Sequence, residues 1–167
     1  MTHVGSGFAG LLLFASTALP CTCVVAINST ARTEMTYSAM VFRGTVVERR
    51  TLPPHAVGTR GRYAITFHVE EYWKGSPGRS VTLYGVDPGS DCLGDGGYEV
   101  SRSYLVYAGE RGVEDGATVG RLFWTDIFPE GTKILMPDTA CTPGGEASKV
   151  RKALRQLGRG RIPSGSD

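Results

Sequence analysis

The sequence predicts a mainly β protein, a five-stranded Greek-key barrel followed by a C-terminal helix. Its 167 residues include 23 glycines and 9 prolines, which favour many turns and short elements over long helices. The apolar residues Tyr63, Ile65, Phe67 and Val69 alternate with more polar neighbours, as in a strand with one buried face. Strand-like segments separated by turn residues suit a small barrel better than a two-sheet sandwich, which is the alternative.

Each predicted element follows from its local pattern. Residues 31–39 are expected to form a short helix without a clear cap. The alternation of the second strand slips at Glu70 and Glu71, which predicts a β-bulge that bends the strand as a small barrel requires. The predicted strands lie within residues 40–48, 63–73, 79–86, 98–108 and 118–128.

Residues 1–20 have the pattern of an export signal. An apolar segment at 8–15 is followed by Ser16 and Ala18, which stand like the −3 and −1 residues of a cleavage site. The apolar segment is too short to cross a bilayer, so no stable membrane span is expected after signal removal. We expect a secreted or extracytoplasmic protein with one barrel domain at 21–145 and a basic helix and flexible tail at 146–167.

The four cysteines, Cys21, Cys23, Cys92 and Cys141, are expected to form disulfides in an oxidising compartment. A bridge between Cys21 and Cys23 would close a small strained ring, so each is expected to reach a distant partner, in either of two pairings. A redox role for the Cys-x-Cys pair is the alternative. Structural bridges are favoured, because distant partners are available to both cysteines and no helix begins directly after Cys23 to lower a thiol pKa.

No catalytic constellation is visible, and we expect neither an enzyme nor a cofactor. The histidines His3, His55 and His68 lie far apart in sequence, and no metalloprotease, hydrolase or phosphate-binding motif is present. The net charge of +2 is too small to indicate a nucleic-acid partner. A stacking platform for a ligand is one interpretation of three large aromatic residues, and core packing is favoured over it. These residues are Tyr72, Trp73 and Trp124.

The C-terminal helix is predicted from apolar residues at helical spacing. A helix that packs this stripe on the barrel and leaves a solvated basic face is favoured over one that inserts into a membrane. The stripe consists of Ala147, Val150, Leu154 and Leu157, and the basic residues between them are Lys149, Arg151, Lys152 and Arg155.

Several motifs together resemble the tissue inhibitors of metalloproteinases (TIMP) and their netrin-like (NTR) relatives. Cys21-Thr22-Cys23-Val24 is similar to the mature N-terminus of the inhibitors. The segment from Phe42 to Val47 resembles the first strand of the family, and Tyr72-Trp73-Lys74-Gly75 resembles its aromatic-Lys-Gly turn. The order of Asp91-Cys92, the strand through Tyr104 to Tyr107, and Cys141 also fits, so the resemblance covers about residues 21–145.

This resemblance implies an OB-fold-like barrel, with bridges that join Cys21 to Cys92 and Cys23 to Cys141. It also implies a protein partner, a zinc metalloproteinase, whose catalytic zinc keeps one coordination position open. The free amine and carbonyl of Cys21 would chelate that zinc and displace its water. Thr22 would enter the adjoining pocket, and Val24 with the loop at Asp91 and Cys92 would complete the binding ridge.

The residues before Cys21 leave a second function open. Pro20 is a poor residue for the position before a cleavage site, and cleavage after Ala18 would leave Leu19 and Pro20 in the mature chain. Cys21 would then carry an amide nitrogen, which is not basic and does not ligate zinc. The alternative is therefore a non-inhibitory, extracytoplasmic protein-interaction module that shares the OB/NTR fold.

Overall fold

The computed structural model describes residues 30–54, 61–86, 97–113, 124–138 and 144–164. These residues form an antiparallel sheet with two short helices, so the mainly β prediction is confirmed. In chain order the elements are α1 (Ala31–Tyr37), β1 (Met40–Leu52), β2 (Arg62–Lys74), β3 (Ser80–Val86), β4 (Ser103–Gly112), β5 (Lys133–Pro137), β6 (Gly145–Glu146) and α2 (Arg151–Leu157).

The strand order in the sheet is β3-β2-β1-β4-β5, with the short β6 paired to β4. The long strand β1 is central, since it pairs antiparallel with both β2 and β4. Side chains of β3 and β5 meet in one apolar cluster although the two strands stand at opposite ends of this order. The sheet therefore curls until its outer strands approach each other.

The register between β1 and β2 confirms the bulge predicted at Glu70 and Glu71. Arg43 pairs with Glu71 and Gly44 pairs with Val69, so Glu70 is left without a partner in β1. Gly44 is required at this place, because a Cβ atom there would lie 2.7 Å from the carbonyl oxygen of His68. Further register shifts occur on either side, and the three together bend this pair of strands.

The alternation of β2 is confirmed by the core. Its apolar residues lie in a cluster between the curled strands, where the ring of Phe67 meets the rings of Phe42 and Tyr98 edge to face at 5.3 Å. A second cluster lies on the opposite face of β1 and β4, against α1 and α2. Both faces of β4 are thus covered, since Leu105 and Tyr107 belong to the second cluster and Val106 to the first.

The predicted position of the fifth strand is wrong for the part of its span that the structure describes. Of the predicted span 118–128, residues 124–128 form a turn, in which the carbonyl of Trp124 accepts hydrogen bonds from the N–H groups of Ile127 and Phe128. The Trp124 side chain is buried and anchors this turn. The fifth strand is β5, where Ile134 is buried and Leu135 packs against the core.

Both predicted helices are present and both are short. Thr30 caps α1 by accepting a hydrogen bond from the N–H of Thr33 on its side chain, a cap that the sequence did not make evident. Of the predicted apolar stripe, Leu157 is buried and Val150 and Leu154 pack in the same cluster, so the packing interpretation is confirmed for these three residues. Ala153, which was not part of the predicted stripe, is buried beside them. No helix among the described residues is long and apolar enough to cross a membrane.

Candidate functional site

The residues predicted to bind a protease lie outside the described residues. These are Cys21, Thr22, Cys23, Val24, Asp91 and Cys92, and the same holds for Cys141 and for the export signal at 1–20. Their chemistry therefore stays a prediction. The structure does describe the chain on either side of these segments, and those flanks define the frame that would hold the site.

The flank of the N-terminal segment is fixed at Ala31, the first residue of α1. Ala31 is fully buried, its carbonyl accepts a hydrogen bond from the hydroxyl of Tyr107 at 3.1 Å, and its N–H donates to Oε1 of Gln156 at 3.1 Å. Arg32 adds a hydrogen bond from Nε to the carbonyl of Gln156 at 2.7 Å. The start of α1 is thus held by both β4 and α2.

The flank that leads toward Cys141 is fixed at the same tyrosine. The N–H of Asp138 donates to the backbone carbonyl of Tyr107 at 2.8 Å, and the hydroxyl of Ser38 donates to the Asp138 carboxylate at 2.6 Å. Tyr107 therefore contacts the start of α1 through its hydroxyl and the end of β5 through its backbone. Burial raises the pKa of the Tyr107 phenol, and the charge of Glu34 raises it further.

The chain after Cys141 continues into β6, where Glu146 is the centre of a small charged network. Glu146 in β6 accepts hydrogen bonds from Lys149 at 2.9 Å and Ser148 at 2.8 Å, with Arg102 at 3.3 Å. The hydrogen bond from Lys149, then that from Ser148 and the positive charges, lower the pKa of Glu146 from 4.5 to about 2. The network joins β6 and the residues before α2 to the start of β4.

The segment that carries Asp91 and Cys92 follows β3 in the sequence, and the described chain resumes at Gly97. The hydroxyl of Tyr104 accepts a hydrogen bond from the N–H of Glu99 at 2.9 Å and donates to the carbonyl of Gly97 at 3.2 Å. Tyr98 is buried in the core, and its carbonyl accepts a hydrogen bond from Arg49 at 3.1 Å. The described residues that follow this segment are therefore fastened to β1, β4 and the core.

The aromatic-Lys-Gly turn fastens both helices to the sheet. Lys74 Nζ donates to the carbonyls of Met35 at 3.0 Å and Thr36 at 2.8 Å, at the C-terminal end of α1. The indole N–H of Trp73 donates to the carbonyl of Gly158 at 2.9 Å, just after α2. These roles were not predicted from the sequence. The sequence did contain one indication of them: β4 has apolar residues on both of its faces, which indicates that a second layer covers the outer face of the sheet.

The three aromatic residues considered as a stacking platform are not brought together. Trp73 packs with the helices, Trp124 packs in the cluster between β3 and β5, and Tyr72 packs against the core between the strands. The guanidinium of Arg161 covers the ring of Tyr72 at 4.6 Å. The packing interpretation, which was favoured, is the one the structure shows.

The segment after α2, expected to be a flexible tail, is paired with β2 up to Arg161. The N–H and carbonyl of Arg161 exchange hydrogen bonds of 2.8 Å with those of Tyr72. The N–H of Gly160 donates to the Glu71 carboxylate at 2.6 Å, and a Cβ atom at Gly160 would lie 2.7 Å from the carbonyl oxygen of Tyr72. This glycine therefore allows the close approach.

Within the described ranges, no three His, Cys, Asp or Glu side chains are grouped so as to hold a metal ion. His68 is exposed on β2, as its position on the polar face predicted. The chain matches no protein-family model, and no curated protein matches it. Inference about function therefore rests on the residues themselves and on the frame described above.

Proposed function

We propose that this chain is an exported, disulfide-bridged OB-fold-like barrel of the TIMP/NTR class, which binds a protein partner through the ridge at Cys21, Thr22, Cys23 and Val24. The observation that carries the proposal is the double role of Tyr107. The flank of the N-terminal segment and the flank of the Cys141 segment are both hydrogen-bonded to this residue. A short N-terminal segment held close to Cys141 is what such a ridge requires.

The strand arrangement supports the OB-fold-like barrel. In a five-stranded Greek-key barrel of this kind, the first strand is shared between two parts of the sheet, and the strands at the two ends approach to close it. The order β3-β2-β1-β4-β5, the central β1 and the packing of Tyr84 and Val86 of β3 with Ile134 and Met136 of β5 agree with that arrangement. The bulges in β1 and β2 supply the bend.

The anchors also agree with a bridge between Cys23 and Cys141. Cys23 stands seven positions before Thr30, so an extended chain of that length reaches at most about 25 Å. Cys141 stands three positions after Asp138, which adds about 10 Å. Ala31 and Asp138 are each hydrogen-bonded to Tyr107, so the two flanks lie near each other, well within this combined reach.

The sharper form of the proposal is inhibition of a zinc endopeptidase. An α-amine has a pKa of about 7.7–8.0, so near neutral pH it can lose its proton and bind a metal. The Cys21 amine and carbonyl would take the open position on the zinc of the protease, and Thr22 would occupy the pocket beside it. Bridges from Cys21 and Cys23 would hold this tetrapeptide rigid, which reduces the entropy lost on binding.

Two matched proteins test this form. One begins at Cys21 and the other at Leu19, so they differ only in Leu19 and Pro20 and in whether the Cys21 nitrogen is an amine. Mass measurement of the exported protein first shows which start occurs naturally. We expect inhibition of zinc endopeptidases by the Cys21 form only, and equal or absent inhibition by both forms would exclude chelation.

The second candidate is the non-inhibitory interaction module, favoured by the presence of Pro20 before Cys21. Under this alternative the mature chain begins at Leu19, and binding to the partner survives both the N-terminal extension and Thr22→Gly. A thiol-disulfide enzyme is a third possibility. It requires that Cys21 and Cys23 be readily reduced in the folded protein, which thiol titration under mild reductant tests directly.

A further inference from the structure

The end of the chain carries a concentration of positive charge that neither the fold nor the proposed ridge explains. Residues 147–164 contain six Lys and Arg residues and no Asp or Glu. All six side chains are exposed. Four of them, on α2 and just after it, neither pair with a carboxylate nor cover an aromatic ring among the described residues, and we refer to these four as the basic face. The basic face consists of Arg151, Lys152, Arg155 and Arg159.

The charges of the basic face are not neutralised within the part of the chain that the structure describes. Lys149 is paired with Glu146, and Arg161 lies over Tyr72, but none of the four residues of the basic face forms an ion pair there. Their mutual repulsion is not offset locally, so a surface of this kind favours an anionic partner.

The apolar side of α2 is not available to that partner. Ala153 and Leu157 are buried against the sheet, and Leu154 is packed in the same cluster. The helix therefore does not insert into a lipid phase, and contact through the basic face is electrostatic. The adjoining residues Tyr72 and Trp73 do not provide a stacking surface for nucleotide bases, because Trp73 packs with the helices and the ring of Tyr72 is covered by Arg161.

The helical layer also exposes side chains on α1. Helices α1 and α2 pack against each other on one face of the sheet. On α1, Arg32 is exposed, and Tyr37 is 82% exposed at the other end of the helix. Exposed tyrosines together with Lys and Arg are typical of protein surfaces that lie at a membrane interface.

We propose that the basic face binds the surface of an anionic phospholipid bilayer. Arg151, Lys152, Arg155 and Arg159 contact the headgroup phosphates, and the barrel stands away from the membrane with its helical layer beneath it. Attraction of this kind contributes about a fivefold gain in affinity for each Lys or Arg near the surface, and it weakens with salt.

The test uses the full chain and sedimentation with phosphatidylcholine vesicles, with and without phosphatidylglycerol. The variant R151E/K152E/R155E removes three cations of the basic face. The control R50E/R79E/R111E makes the same change in net charge at three exposed arginines outside the helical layer. Any binding by the N-terminal apolar segment is common to both proteins, so their difference reports the basic face.

We expect the basic-face variant to lose affinity for the anionic vesicles by roughly 100-fold, and the control to lose much less. Binding of the native chain should fall as salt is raised and should be weak on vesicles of phosphatidylcholine alone. Equal losses in the two variants would assign binding to net charge and overturn the proposal. Stronger retention on immobilised heparin than on anionic vesicles would overturn it in favour of a polysaccharide. If the variant melts abnormally, R151Q/K152Q/R155Q provides the same comparison without reversed charge.

Discussion

Tyr107→Phe tests the anchor on which the proposed site depends. The substitution keeps the ring, which is 2% exposed, and removes only the hydroxyl that donates to the carbonyl of Ala31. No large cavity forms, so the loss comes from the hydrogen bond and from the buried carbonyl left without this donor. Such a loss corresponds to about 1–3 kcal/mol in the free energy of unfolding.

Loss of the same hydroxyl should also change how the free energy of unfolding depends on pH in the alkaline range. The phenol pKa of Tyr107 is raised in the folded protein by burial, whereas the unfolded chain releases this proton near pH 10. Above that pH the unfolded state binds fewer protons than the folded state at this group, so stability falls as pH rises. The slope from one proton is at most about 1.4 kcal/mol per pH unit. This component should disappear in Y107F.

Urea denaturation at pH 7 and at several values between pH 9 and 11 measures both effects. Tyr37→Phe is the matched control, since it removes a hydroxyl from a tyrosine that is 82% exposed. Hydrogen exchange should show loss of protection in α1 of Y107F and little change in β2. Equal stability of Y107F and the native chain at pH 7, with the same alkaline slope, would refute the assignment of this anchor.

Two further predictions concern the sheet and its charged edge. Gly44→Ala should destabilise the protein by about 1–3 kcal/mol, because the added Cβ atom would lie 2.7 Å from the carbonyl oxygen of His68. The midpoint of urea denaturation measures this loss. Gly78→Ala is the control, since its Cβ atom would come no closer than 4.0 Å to a neighbour. Similar midpoints for the two variants would contradict the close approach. The Glu146 carboxylate has its pKa lowered to about 2 in the folded protein, so it contributes stability that is lost as pH falls from 4.5 toward 2. In Glu146→Gln the free energy of unfolding should therefore decrease less over this pH range. Denaturation from pH 5 to 2 checks this, with exposed Glu130→Gln as control, and an unchanged limb in E146Q would remove Glu146 from the network.

The predictable parts of the fold are those in which the burial of one face of an element leaves a regular pattern of apolar residues in the sequence. The alternation from Tyr63 to Val69 predicted a strand with one buried face. The break in that alternation at Glu70 predicted the bulge, in which Glu70 has no paired residue in β1. The helix α2 followed from apolar residues at helical spacing. In each case a local period directly reflects which side chains are buried.

The fifth strand was not predictable in the same way. The apolar run that ends at Trp124 has no alternation, and a buried tryptophan can anchor a turn as well as a strand. The actual strand, β5, has only five residues and ends at Pro137, so it offers too short a pattern to recognise.

The frame of the candidate site depends on long-range contacts that no local pattern contains. Tyr107 joins Ala31 to Asp138 across 76 residues on one side, and Gln156 joins α2 to α1 across 125. The cysteines indicated that the N-terminal segment is tied down, and the resemblance to the inhibitors suggested the partners. The residues that hold the flank of that segment at Ala31 could be identified only from the fold.

The disulfide map of the exported protein tests the central proposal most directly. Proteolysis without reduction, followed by mass spectrometry of the linked peptides, identifies which cysteines are joined. We predict one peptide pair that links Cys21 to Cys92 and a second that links Cys23 to Cys141. Free thiols, or a bridge between Cys21 and Cys23, would contradict a rigid N-terminal ridge and with it the assignment to the TIMP/NTR class.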